Sequence, residues 1–207
     1  EQIDFNTDNI NSIIDRSKIG GKHTIPISTS FNLLKYFTVS PSMNYDEIWY
    51  LKKLNYSFNE LENGIEIDTT NSFQRAWSYS TALALSTRIY GTVFFKKGKI
   101  KAIRHVISPE ISMSFSPDFT KPKFGYYENV QINNEGDTKL LSKYENFLFG
   151  APRIGSSASM NFYIGNNLEM KVVDKNDTIS GTRKIKIFDN LSFSSSYNFL
   201  ADSFGLA

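Results

Sequence analysis

The sequence lacks several features that would point to common protein classes. It contains no cysteine, which excludes a disulfide framework, a thiolate metal site and a cysteine nucleophile. His23 and His105 are its only histidines, so a histidine-rich metal site is excluded as well. No apolar run approaches the roughly 18 residues that a membrane-spanning helix needs. The net charge of +2, without a dense basic run, gives no argument for nucleic-acid binding.

These absences leave the β-barrel class open. A barrel strand crosses a membrane with only about 9–11 residues, of which alternate ones are apolar. Aromatic residues are abundant, with 17 Phe and 11 Tyr among 207 residues. Aromatic girdles at the two bilayer interfaces account for this composition, and so does a large aromatic core in a soluble protein.

Residues 77–91, WSYSTALALSTRIYG, alternate between two kinds of side chain. Large or apolar residues occupy every second position, and the residues between them are small or polar. A period of two over this length predicts a strand with two unlike faces. The predicted apolar face includes Trp77, Tyr79, Leu83 and Leu85, and the predicted polar face includes Ser78, Ser80, Ser86 and Arg88.

The same period recurs along the chain, whereas helical periodicity is hard to find. We predict strands at about residues 22–31, 36–58, 73–95, 100–117, 153–164, 168–174 and 183–200. Short turns are expected at NLLK, KKGK and GNN, and long loops at about 59–72, 118–152 and 174–182. Residues 1–207 are predicted to form part of one domain.

Short and long connections alternate in this prediction. Antiparallel strands would then have all short turns on one side and all long loops on the other, as in outer-membrane barrels. A Greek-key sandwich has no reason to alternate so strictly. The predicted fold is therefore an all-β, antiparallel transmembrane barrel of the outer-membrane type. Seven strands are too few to close such a barrel, so the chain is expected to be an incomplete slice of a larger one.

Three later segments have the same two-faced pattern. Serine is frequent on one face, which suits a water-filled lumen, and apolar residues on the other suit lipid. The further lumen-facing candidates are Arg104, Glu110, Ser112, Ser114, Asn161 and Ser194. The further lipid-facing candidates are Ile111, Met113, Phe115, Phe162, Phe193 and Tyr197.

Catalytic arrangements are poorly supported. His105, Ser108 and Glu110 are close in sequence, but alternation directs His105 to one face and the other two to the opposite face. We predict no catalytic, cofactor or metal residue, and no enzyme activity. Arg88 and Arg104 either contact anionic phosphates, form salt bridges across the wall, or extend their charged ends to water at the periplasmic rim.

Three stretches, residues 23–54, 86–119 and 166–203, resemble the outer-membrane lipopolysaccharide-assembly protein LptD family in the form found in Bacteroidetes-type bacteria. Together they cover most of the chain. The resemblance implies a very large antiparallel barrel in the outer membrane of a Gram-negative bacterium. It receives lipopolysaccharide from a periplasmic bridge and releases it through a lateral opening into the outer leaflet.

The resemblance also implies partners: lipopolysaccharide, membrane lipids, an LptE-like plug lipoprotein and the bridge proteins. The family's periplasmic jelly-roll domain and the cysteines of enterobacterial members are not in this sequence. The start at Glu1 is interpreted as that of a processed chain or a fragment. Two alternatives remain open: an outer-membrane barrel with other cargo, such as a porin, a nutrient transporter or a secretion pore, and a soluble β-sandwich that binds a partner.

Overall fold

Strands dominate the computed structural model, which describes residues 17–176, 180–203 and 205–206. Ten strands follow one another in the described residues, with no helix between them. They are β1 (Gly20–Ser28), β2 (Phe31–Leu33), β3 (Phe37–Asn59), β4 (Gly64–Thr87), β5 (Ile89–Phe94), β6 (Ile100–Ser116), β7 (Tyr127–Gln131), β8 (Thr138–Ser142), β9 (Ser157–Val173) and β10 (Thr182–Asn198). No helix able to cross a membrane occurs in the part of the chain described here.

The principal sheet has the order β1-β3-β4-β6-β9-β10, with β2 also paired to β3 and β5 also paired to β6. The pairs β4–β6, β6–β9 and β9–β10 are antiparallel. Strands β7 and β8 form a separate antiparallel hairpin. The all-β, antiparallel fold predicted from the sequence is confirmed. Strands β1 and β10 are the two ends of the described order, as expected for a slice of a larger barrel.

The longest strands exceed what a membrane crossing needs. Strand β3 has 23 residues and β4 has 24. At about 3.3 Å per residue each is about 75–80 Å long, more than twice the roughly 30 Å of a hydrocarbon core.

One predicted turn is wrong. The GNN stretch, expected to join two strands, lies inside the single strand β9. Asn167 donates its side-chain amide to the Asp189 carbonyl at 2.9 Å, and Asn166 donates to the Leu191 carbonyl at 3.2 Å. These bonds lie where β10 shifts register, so the two asparagines bridge a bulge.

This correction removes the strict alternation of short and long connections. The backbone N–H of Val173 donates to the Lys99 carbonyl at 2.8 Å, and Asp174 donates to the Gly181 carbonyl at 2.9 Å. The two ends of the connection at 174–182, which was expected on the long-loop side, therefore lie beside the short KKGK turn, while its residues 177–179 are outside the described residues. Because the prediction contained one turn too many, it assigned this connection to the opposite end of the strands.

The first predicted long loop, 59–72, is also mostly strand. Only residues 60–63 separate β3 from β4, and Asn59 Oδ1 accepts the backbone N–H groups of Leu61 and Glu62. The start of β4 is polar, so its sequence lacks the alternation of a typical strand. A cross-strand hydrogen bond nevertheless links it to β3, since the Asn55 side-chain amide donates to the Thr70 hydroxyl at 2.6 Å. Exposed threonines fit a strand as well as apolar residues do.

Two compact units divide the described residues. The first comprises 17–25, 44–79 and 117–155, and the second comprises 26–43, 80–116, 156–176, 180–203 and 205–206. The first contains a hydrophobic core, whose buried members are Ile48, Tyr50, Leu54, Ala76, Phe119, Tyr126, Tyr144 and Phe147.

The segment 117–155 completes the edges of the strands in the first unit. Trp77 donates its backbone N–H to the Tyr126 hydroxyl at 2.8 Å, and that hydroxyl donates to the Trp77 carbonyl at 3.1 Å. The backbone N–H of Leu54 donates to the Lys143 carbonyl at 2.9 Å. Buried strand edges need such partners, because an unpaired backbone group away from water is costly. The long predicted loop is therefore an ordered part of the core, and it carries β7 and β8.

Candidate functional site

Cross-strand register brings the predicted polar residues of the second unit onto one sheet face. Directly paired residues in neighbouring strands have side chains on the same side. One row contains Ser86, Glu110, Tyr163 and Ser194, and the next contains Ala84, Ser112, Asn161 and Ser196. A third row contains Ala82, Ser114, Ser159 and Asn198, in which the hydroxyls of Ser114 and Ser159 are 2.9 Å apart. Ser80 is exposed in the same unit.

The opposite face of the second unit carries the apolar candidates. One row contains Leu83, Met113, Met160 and Tyr197, and another contains Leu85, Ile111 and Phe162. Phe115 and Phe193 extend this face, and Phe193 is 62% exposed. Soluble monomers seldom expose an apolar surface of this extent.

Trp77 and Tyr79, the other two lipid-facing candidates, lie in the first unit beneath protein. The Trp77 ring meets those of Phe119 and Phe124, with centroids 6.4 and 5.5 Å apart, and Tyr79 also meets Phe119 at 6.0 Å. Sequence alternation does not reveal this cover, because the covering rings come from a segment some 40 residues away. Ser78 also lies in the first unit.

The two candidate arginines have different surroundings. Arg104 forms an ion pair with Glu169 at 3.5 Å and lies 5.5 Å from the centroid of the Tyr90 ring. Within the described residues, the Arg88 side chain has neither a hydrogen bond nor an ion pair. The salt-bridge alternative therefore fits Arg104, whereas Arg88 remains available to a ligand.

Two adjoining grooves open on the polar face. One, of about 570 Å³, lies over Ser112, Asn161 and the serines of β10. The other, of about 720 Å³, is hereafter the cationic groove; its lining includes Lys35, Tyr36, Arg88, Tyr90, Glu110 and Tyr163. Glu110 and Tyr163 line both grooves.

A break between β4 and β5 opens the cationic groove at Arg88. The registers Ser86↔Glu110 and Ile89↔Ile107 put Pro109 opposite Thr87. Proline has no N–H to donate, so the ladder is interrupted there. The Thr87 hydroxyl instead donates to the Tyr36 carbonyl at 2.6 Å and so holds the turn before β3.

Gly165 positions Tyr163 in the groove. A Cβ atom at Gly165 would meet the Tyr163 hydroxyl at 3.1 Å and its ring carbons at 3.2 and 3.4 Å. The ring therefore lies along the strand over a residue with no side chain. This packing explains a glycine within β9 where the sequence suggested a turn.

Lys35, Tyr36, Tyr90 and Tyr163 were not among the candidates from the sequence. Lys35 lies in a turn, where lysine is ordinary, and strand tyrosines are equally expected at membrane interfaces. The useful indication was the turn itself, because NLLK contains no glycine and its one residue suited to positive φ, Asn32, lies in strand β2.

A second polar cluster, in the first unit, was also missed. Glu47 accepts from Arg75 Nη2 at 2.8 Å, from Trp49 Nε1 at 2.6 Å and from the Tyr45 hydroxyl. A pocket of about 470 Å³ adjoins it, with the His23 ring tilted against Trp49 at 4.3 Å between centroids. The four polar side chains of the cluster are paired with one another, so we assign it a structural role.

The segment 117–155 contains four groups with shifted pKa values, namely Asp118, Tyr126, Tyr127 and Tyr144. Hydrogen bonds from the Thr120 backbone N–H, the Thr120 hydroxyl and the Gly155 N–H lower the pKa of Asp118. Burial raises the pKa of Tyr144 to about 12, so its phenol stays protonated at neutral pH. Through its three hydrogen bonds to Thr120 and Gly155, Asp118 links the two ends of this segment.

No hydrolytic constellation forms around His105. Its Nε2 atom lies 3.2 Å from Asn166 Oδ1, while register directs Ser108 and Glu110 to the other face. No group of three or more histidine or acidic side chains suited to a metal ion occurs within the described residues.

A family model described as LptD protein matches residues 1–207. The chain belongs to the LptD family. No curated protein and no solved structure matches it. The resemblance to the LptD family found in the sequence is thus confirmed. LptD proteins act in lipopolysaccharide transport at the outer membrane of Gram-negative bacteria, as transport and assembly proteins and not as enzymes. Because LptD proteins are outer-membrane proteins, the alternative of a soluble β-sandwich is set aside.

Proposed function

We propose that this LptD chain forms part of a barrel wall that conducts lipopolysaccharide to the outer leaflet. The polar face of the second unit lines a hydrated path for the sugar and phosphate head, and the apolar face contacts lipid. Acyl chains leave sideways through a lateral opening where the first and last strands of the complete barrel meet.

The observation that carries this proposal is the separation of the two faces. In the second unit, most serine and asparagine side chains share one side of β4, β6, β9 and β10 with Glu110 and Tyr163, and leucine, methionine and the remaining aromatic side chains share the other. No large side chain in the described part of the second unit is buried. A single layer with this pattern needs lipid on one side and water on the other.

Transport at this protein is passive in our proposal. Nothing in the chain resembles a phosphate-binding loop for nucleotide hydrolysis, so the energy comes from the periplasmic bridge that delivers the lipid. The partners are that bridge, an LptE-like plug lipoprotein within the barrel and the surrounding lipids, in a Bacteroidetes-type bacterium.

Site-specific photo-crosslinking in living cells tests the proposal. The probe is inserted into the full-length protein at Ser80 or Ser114, proposed to face inward, and at Leu83 or Met113, proposed to face outward. We expect adducts with the lipopolysaccharide head at the inward sites and phospholipid adducts at the outward sites. Absence of lipopolysaccharide adducts at all four sites, in a protein that still fractionates with the outer membrane, would contradict this path.

A further inference from the structure

We infer that the cationic groove is a binding site for a phosphate group carried on a sugar. The inference rests on the proposed function, because it assumes that the polar face meets the head of the transported lipid. It adds the residues that hold the phosphate: Lys35 and Arg88 as the cations, with tyrosines around them.

Charge is the first argument. Lys35 and Arg88 both line the groove, and neither side chain is engaged by a described residue. Glu110 is the one acidic residue in the described lining, so the groove carries a net positive charge. Two other cations, Arg104 on β6 and Lys186 on β10, are by contrast engaged, since Arg104 pairs with Glu169 and Lys186 pairs with Asp189 at 2.6 Å. Guanidinium and ammonium groups bind phosphate strongly through charge-assisted hydrogen bonds.

Backbone geometry is the second argument, and it is independent of charge. Leu34 and Lys35 have φ values of 52° and 65°. Turns of this type favour asparagine and glycine, because a side chain crowds the backbone in the left-handed region. Leu34 is 73% exposed, so burial of its side chain does not offset the strain. Strained backbone tends to occur at functional sites, and here it brings Lys35 to the edge of the groove.

Size and aromatic lining favour a sugar phosphate over a bare ion. The volume of about 720 Å³ lies within the range of small-molecule sites. Tyr36, Tyr90 and Tyr163 supply flat rings with polar tips, which suit a ring that has both apolar and hydroxyl surfaces. The Arg104 guanidinium lies over the Tyr90 ring, and Gly165 accommodates Tyr163.

The test uses the purified full-length protein in detergent, equilibrated with lipopolysaccharide. A photo-crosslinker at Tyr163 reports on the groove, and one at Ser114 reports on the same face beyond it. We expect the double variant K35Q/R88Q to lower the Tyr163 adduct about tenfold and to leave the Ser114 adduct unchanged. The charge-retaining variant K35R/R88K should preserve most of the adduct. K97Q, which removes an exposed lysine from the KKGK turn, should have no effect.

The chemistry of the ligand is tested with two further probes. Lipopolysaccharide stripped of its phosphates should give a Tyr163 adduct as weak as that of the double variant. Inorganic pyrophosphate that displaces the Tyr163 adduct would show that free phosphate also enters; if it fails while intact lipopolysaccharide binds, the groove requires the sugar-linked group. Equal adducts from stripped and intact lipopolysaccharide would overturn the inference.

Failure of the inference can be distinguished from failure of the proposed path. If unsubstituted protein gives no adduct at either Tyr163 or Ser114, the inward face itself is wrong. If both adducts form and K35Q/R88Q changes neither, the path stands and the phosphate site is rejected. Heat-modifiable migration of each variant in gels verifies that the barrel has folded.

Discussion

The two units of this protein use similar aromatic and aliphatic residues in opposite ways. In the first unit, Tyr50, Phe119 and Tyr144 are at most 3% exposed and belong to one core, to which the segment 117–155 contributes the last two. In the second unit, Phe115, Leu83 and Met113 are 46–47% exposed. One unit supplies its own apolar environment, whereas the other depends on what surrounds the sheet. In the proposed barrel, the second unit is therefore the part whose apolar face meets lipid.

The largest expected effect comes from truncating the core of the first unit. F119A should lower the free energy of unfolding of that unit by about 3–5 kcal/mol, because a cavity replaces a ring that is 1% exposed. Hydrogen exchange of peptides from 117–155 measures it. F115A, four residues earlier and half exposed, is the matched control and should cost less than about 1 kcal/mol in detergent. Equal effects would remove the contrast between the units.

A charge on the apolar face of the second unit should have the next largest effect. M113R is expected to cost about 2–4 kcal/mol for folding into lipid vesicles, because the guanidinium would enter the hydrocarbon. Urea titration of vesicle-folded protein measures this. S112R, on the neighbouring residue of the polar face, should be nearly neutral. If S112R is the more damaging of the two, the faces are assigned the wrong way round.

Removal of one hydroxyl tests how the first unit completes its strand edges. Y126F leaves both the N–H and the carbonyl of Trp77 without their partner, which should cost about 1–3 kcal/mol. Faster hydrogen exchange at the Trp77 amide is the expected result. Y163F, in the second unit, loses only a 3.5 Å contact with Asn190 and should change stability by less than about 0.5 kcal/mol.

The smallest effect concerns pH. The pKa of Asp118 is lower in the folded protein than its usual value of 3.8, so its contribution to stability is complete above that value. It is lost as the pH falls through the lowered pKa. Protease protection of 117–155 should therefore decline below pH 3.8. D118N should be less protected at neutral pH, and its protection should depend less on pH. An unchanged pH dependence of protection in D118N would show that Asp118 does not hold the two ends of 117–155 together.

Sequence patterning predicted the strands where both faces were distinct. Leu83, Met113 and Phe193 alternate with small or polar neighbours, and a period of two has no other regular solution. It failed at GNN, whose residues are typical of a turn. In the structure Gly165 instead accommodates the Tyr163 ring, and the two asparagines bridge a bulge. It also failed at the polar start of β4, where alternation was weak.

Part of the candidate site followed from the sequence and part did not. Arg88, Glu110 and the serines could be assigned to one face from parity alone, and register joined them into rows. The contribution of Lys35 and Tyr36 could not be predicted, because it depends on a turn held by a hydrogen bond from Thr87, 51 residues further along the chain. Pairing between distant segments is invisible to local periodicity.

The sequence by itself determined the fold class, the two-faced strands, the absence of cysteine chemistry and the family. These depend on local geometry and composition, which each segment carries independently. Only the tertiary structure decided that 117–155 covers Trp77, that among the described residues Arg104 has a partner and Arg88 has none, and that a groove opens opposite Pro109. Each of these depends on which strands lie side by side and in what register, because register determines which side chains meet.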